Sequence, residues 1–171
     1  MELNKLLREP SLPPVKVLRL VGDSRKVIPG DLFIASSIDP SSRDSHIIEA
    51  QRLGAVAALT TTSSIKQSRI PIIEKGDLVS NRGELASIFY GHPSKKKFCI
   101  GVTGTNGKTS IAYFVAAIGR LLEFEFGYIG TLGYGKIGNL TSSSLTTPDA
   151  LDIQRMMREL ESQNIEGFSI E

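Results

Sequence analysis

The sequence predicts an α/β fold in two parts: a small N-terminal α/β domain, followed by a second domain with a mainly parallel sheet. Three observations predict it. Short apolar runs rich in β-branched residues alternate with segments of helical periodicity, as in layered α/β folds. A glycine-rich segment, 104–109, joins such a run to an amphipathic segment. Turn residues and lysines over 91–97 separate two apolar regions.

Composition and charge restrict the class of protein. With 171 residues, 40% of them hydrophobic and 22% charged, the chain is globular and long enough for one ordinary domain or two small ones. Its 20 basic and 18 acidic residues give a net charge of +2, too small to favour nucleic acid or an anionic membrane. The single cysteine, Cys99, excludes an internal disulfide and is typical of a reducing compartment. The longest apolar stretch, 111–118, is too short to span a bilayer, so we expect a cytoplasmic protein.

The segment 91–97 carries the predicted domain boundary. It reads Gly-His-Pro-Ser-Lys-Lys-Lys, which combines turn residues with a solvated run of charge. The sequence therefore predicts domains over 1–93 and 94–171.

The first domain is predicted to alternate strands and helices. Pro29-Gly30-Asp31 predicts a turn that leads into a buried strand over 32–35. A helix is predicted to begin at Ser45, and Gly54 is expected to close it. The alternation continues with strands over 55–59 and 70–73 and a helix over 85–89.

The second domain opens with a continuously apolar strand over 98–103, in which Cys99 is predicted to be a small core residue. A helix over 109–122 follows the glycine-rich segment. Its apolar side chains recur on one helical face: Ile111, Phe114, Val115, Ile118, Leu121 and Leu122.

The remaining elements of the second domain are shorter. A strand over 126–129 precedes flexible, turn-like chain over 133–138. A helix is then predicted with Thr147 as N-cap and Pro148 as its first residue. A final strand over 165–171 has nothing to cover it, so we expect the chain to be a piece of a longer protein.

The glycine-rich segment Gly104-Thr105-Asn106-Gly107-Lys108-Thr109 predicts a phosphate-binding loop. Glycines let backbone N–H groups surround phosphate oxygens, and the following helix points its positive end at the same anion. Lys108 would reach the β- and γ-phosphates, and the Thr109 hydroxyl would ligate Mg²⁺. Val102 stands where the general pattern has glycine. The alternative is a glycine-rich turn that only joins strand and helix; the ordered strand, loop, Lys-Thr and helix favour nucleotide binding.

Three motifs resemble those of one family. The segment 101–110, Gly-Val-Thr-Gly-Thr-Asn-Gly-Lys-Thr-Ser, resembles the ATP loop of the Mur ligases, the ATP-dependent amide ligases of peptidoglycan synthesis. The segment 23–35 resembles their uridine-binding segment, and 146–150 resembles their muramoyl-substrate loop. Together they are most similar to the members that add the third peptide residue to UDP-N-acetylmuramoyl-L-alanyl-D-glutamate.

The resemblance implies roles for residues outside the glycine-rich loop. Ser24 corresponds to the serine that contacts the uridine end of the substrate, although by itself it is equally a turn hydroxyl. Its neighbours Asp23 and Arg25 are predicted to pair locally. Thr146 and Thr147 correspond to contacts with the sugar-peptide, and Thr147 is also the predicted helix cap.

In the ATP site, the resemblance implies that Lys108 is catalytic because it stabilises the transferring phosphoryl group. Thr109 and Glu171 correspond to magnesium ligands, although Glu171 is equally a solvated terminal carboxylate. His46, at a predicted helix start, is assigned to the surface. The implied ATP-binding residues are Gly104, Thr105, Asn106, Gly107, Lys108, Thr109 and Ser110.

The resemblance also implies an activity. In the family, ATP phosphorylates a substrate carboxylate, and the amine of a diamino acid, meso-diaminopimelate or L-lysine, displaces the phosphate. ATP, Mg²⁺ and UDP-N-acetylmuramoyl-dipeptide are the implied ligands; we expect a monomer with no nucleic-acid or membrane partner. Further domains of the family lie outside these residues, so the chain alone is not expected to form the amide bond. A non-catalytic short paralogue that binds a nucleotide sugar and an unrelated P-loop ATPase stay open as alternatives.

Overall fold

The computed structural model describes residues 1–142 and 148–171. The chain divides into two compact units, Met1–Phe89 and Tyr90–Glu171, called unit 1 and unit 2 below. The division lies ahead of the predicted boundary after residue 93, because Pro93–Lys96 forms a short helix that packs against a helix of unit 2.

Unit 1 is built on a sheet of four parallel strands. These are β1 Arg19–Val21, β2 Asp31–Ala35, β3 Ala57–Thr60 and β4 Ile72–Glu74, and they lie in that order across the sheet. All five residues of β2 are buried, as expected for an interior parallel strand. The predicted alternation is therefore confirmed, with strand ends shifted by one or two residues.

The helices of unit 1 are α1 Leu3–Leu7, α2 Pro40–Leu53, α3 Gly76–Ser80 and α4 Arg82–Phe89. The predicted start of α2 at Ser45 is too late. The Asp39 carboxylate accepts a hydrogen bond from the Ser42 N–H at 2.8 Å, and Pro40 takes the first helical position. An acidic N-cap followed by proline is a strong helix start. The predicted end of this helix at Gly54 is confirmed.

The core of unit 1 lies between α2 and the sheet. Phe33 of β2, Ile47 and Ala50 of α2, and Ala58 of β3 pack together, and none is more than 1% exposed. This packing fixes the carboxyl ends of β1 and β2. Several of the residues that line the cavities of unit 1 lie in the segments directly after these strand ends.

Unit 2 is built on a mixed five-stranded sheet. Its strands are β5 Phe98–Gly101, β6 Phe126–Gly130, β7 Gly133–Lys136, β8 Asn139–Thr141 and β9 Gly167–Ile170, and its helices are α5 Pro93–Lys96, α6 Lys108–Leu121 and α7 Ala150–Leu160. The strand order is β5-β9-β6-β7-β8. Strands β5, β9 and β6 are parallel to one another, β7 is antiparallel to β6, and β8 is antiparallel to β7. Within the described ranges, no helix has the length and apolarity needed to cross a membrane.

The prediction of flexible, turn-like chain over 133–138 is wrong. Most of this segment is β7, which pairs with β6 and with β8. Gly133 has a φ of +117°, and a Cβ there would lie 2.2 Å from the carbonyl oxygen of Thr141. Glycine here permits close strand pairing, although the same residue type in a sequence also indicates a turn.

The residues of α6 that are fully buried against the sheet are small. Ala112, Ala116 and Gly119 are buried. A Cβ on Gly119 would lie 2.4 Å from the Phe126 ring, so only glycine allows this approach. The predicted apolar face exists, but it points to the surface: the exposed residues there are Ile111, Phe114, Ile118, Leu121 and Leu122.

Two further local predictions are wrong. Cys99 is exposed, since its strand, β5, lies at the edge of the sheet. Helix α7 begins after the predicted proline, because the Asp149 carboxylate accepts hydrogen bonds from the N–H groups of Leu151 and Asp152, both at 3.0 Å. Asp149 is thus the N-cap.

Candidate functional site

The glycine-rich loop connects β5 to α6 in unit 2. Residues 103–107 are exposed, and Gly104 and Gly107 have φ values of +146° and +77°. Both values favour glycine, and they turn the chain from the strand into the helix. No described side chain caps α6 at Gly107. The loop therefore has the exposed backbone and the helix N-terminus that bind anions together.

Lys108 lies over this loop. Its Nζ donates a hydrogen bond to the Gly104 carbonyl oxygen at 2.7 Å. The ammonium group is therefore held beside the backbone that precedes the helix. The predicted ATP-binding residues 104–110 form one continuous surface segment, in which only Lys108 and Thr109 are partly buried.

A carboxylate and two threonines meet at the start of α6. The Thr109 hydroxyl donates to Oε1 of Glu171 at 2.8 Å. The N–H and hydroxyl of Thr131 donate to Oε2 of Glu171 at 2.9 and 2.8 Å. Thr131 follows β6 and Glu171 follows β9, its parallel neighbour, so both strands deliver these groups to one edge.

Sequence reasoning missed Thr131. The available signal was its position directly after the strand predicted over 126–129, since the carboxyl ends of parallel strands carry binding residues. The strand order, with β9 next to β6, was needed to bring it to Glu171.

Hydrogen bonds lower the pKa of Glu171. Burial raises the pKa of Glu171, but hydrogen bonds from the Thr131 N–H and from the Thr109 and Thr131 hydroxyls, with the charge of Lys108, outweigh it and hold the pKa below the ordinary value. One carboxylate with hydroxyl oxygens beside a phosphate loop suits Mg²⁺, which keeps several waters and binds through few protein oxygens. Among the described residues there is no group of three or more His, Cys, Asp or Glu that could hold a metal by itself.

Replacing Thr131 with valine is expected to raise the pKa of Glu171, because Glu171 loses the Thr131 hydroxyl donor and keeps the Thr131 N–H and the Thr109 hydroxyl. The pKa of Glu171 is lower in the folded state, so its contribution to stability is present above the unfolded pKa and lost as the pH falls through the folded one. The variant should lose less stability on acidification than the parent. Carboxyl ¹³C NMR titration of the labelled chain measures the pKa, with Thr141→Val as the control; an unchanged pKa contradicts the assignment.

Ser24 lies in a second candidate site, in unit 1. It is only 5% exposed, in a short 3₁₀ turn that follows β1, and its hydroxyl donates to the Glu49 carboxylate of α2. A cavity of about 320 Å³ is lined by both residues and by Asp23, Arg25 and His46. His46 is exposed, as predicted, and it lines the same cavity as Ser24.

The residues on either side of Ser24 pair with each other. The Arg25 guanidinium donates to both Asp23 carboxylate oxygens at 2.9 Å, which confirms the predicted local pair. A hydrogen bond from Arg25 holds the pKa of Asp23 below its ordinary value. Asp23 also accepts from the Arg25 N–H, so the pair fixes the turn that holds Ser24.

Two of the predicted site residues are not described by the structure. Thr146 and Thr147 lie outside the described residues, and so does Leu145 before them. The proline that follows, Pro148, is buried ahead of α7.

The fold of unit 2 defines the class of protein. A parallel strand, a glycine-rich loop and a helix that begins with Lys-Thr, with an acidic residue at the end of the neighbouring strand, are typical of P-loop nucleotide-binding domains. Residues 102–171 match the family described as the Mur ligase middle domain. The chain belongs to the Mur ligase family.

Along its whole length, the chain is similar to one branch of that family. The chain is 37% identical to the UDP-N-acetylmuramoyl-L-alanyl-D-glutamate--2,6-diaminopimelate ligase of Pseudomonas putida, over 100% of this chain and 35% of that protein. It is 38% identical to the enzyme of the same name from Coxiella burnetii, over 92% of this chain and 33% of that protein. The chain thus spans about a third of the length of these curated relatives.

Solved structures agree with this placement. A structure of a UDP-N-acetylmuramoyl-L-alanyl-D-glutamate--2,6-diaminopimelate ligase superposes with a TM-score of 0.78 at 25% identity, over 99% of this chain and 35% of that one. The MurF ligase of Thermotoga maritima in complex with ADP superposes with a TM-score of 0.53 at 21% identity, over 93% of this chain and 33% of that one. The second likeness concerns the fold alone.

Proposed function

We propose that this chain is the N-terminal part of an ATP-dependent ligase that adds a diamino acid to UDP-N-acetylmuramoyl-L-alanyl-D-glutamate in peptidoglycan synthesis. The observation that carries the proposal is the juxtaposition of Lys108, Thr109 and Glu171 at an exposed glycine loop. Similarity along the whole chain to ligases named for this substrate supports it. Since the relatives named are 2,6-diaminopimelate ligases, diaminopimelate is the proposed diamino acid.

The two units have different proposed tasks. Unit 1 binds the uridine nucleotide of the substrate, with Ser24 contacting its uridine end. Unit 2 binds ATP on residues 104–110. A cytoplasmic location and a monomeric state stay predictions from the sequence.

At the proposed ATP site of unit 2, phosphoryl transfer requires that the charge of the phosphates is neutralised and that the reacting groups are aligned. Lys108 binds the terminal phosphates and stabilises charge on the transferring phosphoryl group. Thr109 and Glu171 would hold Mg²⁺, which would neutralise phosphate charge when bound. Thr131 orients Glu171 through two hydrogen bonds. No side chain of this chain is required as a covalent nucleophile, since the attacking oxygen belongs to the substrate carboxylate.

Calorimetric titrations with UDP-N-acetylmuramoyl-L-alanyl-D-glutamate and with ATP·Mg²⁺ test the proposal. We expect both to bind. Ser24→Ala should weaken the binding of the nucleotide sugar about three- to tenfold, the effect of one lost hydrogen bond. It should leave the affinity for ATP·Mg²⁺ unchanged. Ser68→Ala, an exposed serine of the same unit, is the control.

The alternatives give different results. Binding of ATP·Mg²⁺ alone indicates an unrelated P-loop ATPase, and binding of the nucleotide sugar alone indicates a non-catalytic paralogue. Either result contradicts the proposal, as does equal weakening by Ser24→Ala and Ser68→Ala.

A further inference from the structure

Unit 1 has a second, larger cavity that its proposed function does not use. It has a volume of about 620 Å³ and shares no lining residue with the cavity at Ser24. Its walls include Ser36 and Thr61, which directly follow β2 and β3, and Ser80 at the end of α3. Ligands of parallel α/β sheets bind at the carboxyl ends of strands, and this volume is typical of small-molecule sites.

A buried cation that forms no ion pair with any described residue lines this cavity. Arg43 is 5% exposed, and its guanidinium donates to the Ser37 carbonyl at 3.0 Å and to the Thr62 carbonyl and hydroxyl at 2.9 and 2.7 Å. All three acceptors are neutral, and among the described residues Arg43 forms no ion pair. Its neighbour Asp44 accepts hydrogen bonds from Ser63 and Ser64. These bonds and, to a smaller extent, the charge of Arg43 lower the pKa of Asp44, but the two side chains form no ion pair.

Such a cation is uncommon. Buried charges in proteins are normally paired, since removing a charge from water is costly. A guanidinium has five N–H donors, so the three bonds leave donors for a further acceptor. The arrangement therefore favours an anion that enters the cavity and pairs directly with the guanidinium.

A second guanidinium lines the same cavity. Arg82, the first residue of α4, donates to the Ser36 hydroxyl at 3.0 Å, and it is only partly buried. Across the described ranges it too forms no ion pair. None of the side chains lining the cavity carries a carboxylate, so the cavity is positively charged and rich in hydroxyl groups.

We propose that this cavity binds the oxyanion of a phosphorylated small molecule between Arg43 and Arg82. Guanidinium groups match phosphate geometry through paired N–H donors, and the hydroxyls of Ser36, Thr61 and Ser80 supply further donors. The volume exceeds that of a single phosphate, so the cavity has room for further atoms of the ligand. The inference needs neither ATP binding in unit 2 nor nucleotide-sugar binding at Ser24.

Titration of the ¹⁵N-labelled chain with inorganic pyrophosphate tests the site. The amides of Ser37 and Arg82 report on this cavity, whereas those of Gly104 and Gly107 report separately on the loop of unit 2. We expect saturable shifts at Ser37 and Arg82 at millimolar pyrophosphate. Arg82→Gln should weaken this binding at least about tenfold, as loss of a charge-assisted contact does, and Arg82→Lys should weaken it less.

Arg52→Gln is the matched control, since Arg52 is an exposed arginine at the end of α2 away from the cavity lining. Absence of shifts at Ser37 and Arg82, or equal weakening by Arg52→Gln, overturns the site whatever the loop of unit 2 does. A parallel titration with UDP separates two sources of the anion. If Arg82→Gln also weakens the binding of UDP, the anion is the nucleotide diphosphate. If the affinity for UDP is unaffected, a separate phosphorylated ligand occupies the cavity. Both results support the site.

Discussion

Replacing Lys108 with alanine is expected to weaken the binding of ATP·Mg²⁺ about tenfold to a hundredfold. The variant loses charge-assisted contacts with phosphate, worth about 1.5–3 kcal/mol, and each 1.4 kcal/mol is a factor of about ten in affinity. Isothermal titration of the 171-residue chain measures the change.

The geometry explains why one side chain should matter this much. Lys108 Nζ lies 2.7 Å from the Gly104 carbonyl oxygen, so the ammonium is already positioned over the loop. Preorganisation of this kind reduces the ordering cost of binding. The loop residues 103–107 are exposed, so no rearrangement of the core is needed for a phosphate to reach the lysine.

The control is Lys97→Ala, which removes a lysine of the same unit outside the loop. It should leave the affinity within about twofold, the size of an ordinary surface-charge effect. If Lys108→Ala binds ATP·Mg²⁺ as tightly as the parent chain, the glycine-rich segment is a connecting turn, and the proposed ATP site is wrong.

The features that the sequence predicted correctly depend on residues close together in the chain. The glycine loop, the lysine and threonine that begin α6, and the glycine that ends α2 all act within one turn of the chain, so spacing alone indicates them. The order of strands across each sheet is different, because it depends on contacts between distant segments. Thr131 and Glu171, 40 residues apart, meet only because β9 inserts between β5 and β6.

Periodicity identified the apolar face of α6 but not the direction in which it points. Helical spacing is the same whether large side chains face the sheet or the surface. The sheet is approached by Ala112, Ala116 and Gly119 because Phe126 already fills the space beneath the helix. The size of the facing residues, which spacing does not contain, decided the outcome.

The charged cavity of unit 1 could not be predicted for the same reason. Arg43 and Arg82 belong to different helices, α2 and α4, and each alone resembles an ordinary surface arginine in the sequence. Burial of the first and the hydrogen bond of the second to Ser36, 46 residues away, depend on how both helices pack on the sheet.

Replacing Asp31 with alanine is expected to destabilise unit 1 by about 2–4 kcal/mol, because it removes the buried partner of an ion pair. Asp31 is 1% exposed, and its carboxylate accepts from Arg19 Nε and Nη2 at 3.1 and 2.6 Å and from the Ile28 N–H at 2.9 Å. The alanine variant leaves these donors without their acceptor. Arg19 is 30% exposed, so water can solvate its guanidinium after the carboxylate is removed. The loss in the free energy of unfolding should therefore be smaller than for a fully buried ion pair.

Asp23→Ala is the matched control for this change, since it breaks another Asp–Arg pair of the same unit. The Arg25 side chain is 79% exposed, and pairs of this kind contribute about 1 kcal/mol or less. Amide hydrogen exchange in β1, β2 and the turn between them measures the opening free energy of unit 1 by itself. Because the Asp31 carboxylate connects β1, β2 and the turn between them, its loss should speed exchange in all three together. Equal effects of Asp31→Ala and Asp23→Ala would show that burial adds nothing to the first pair.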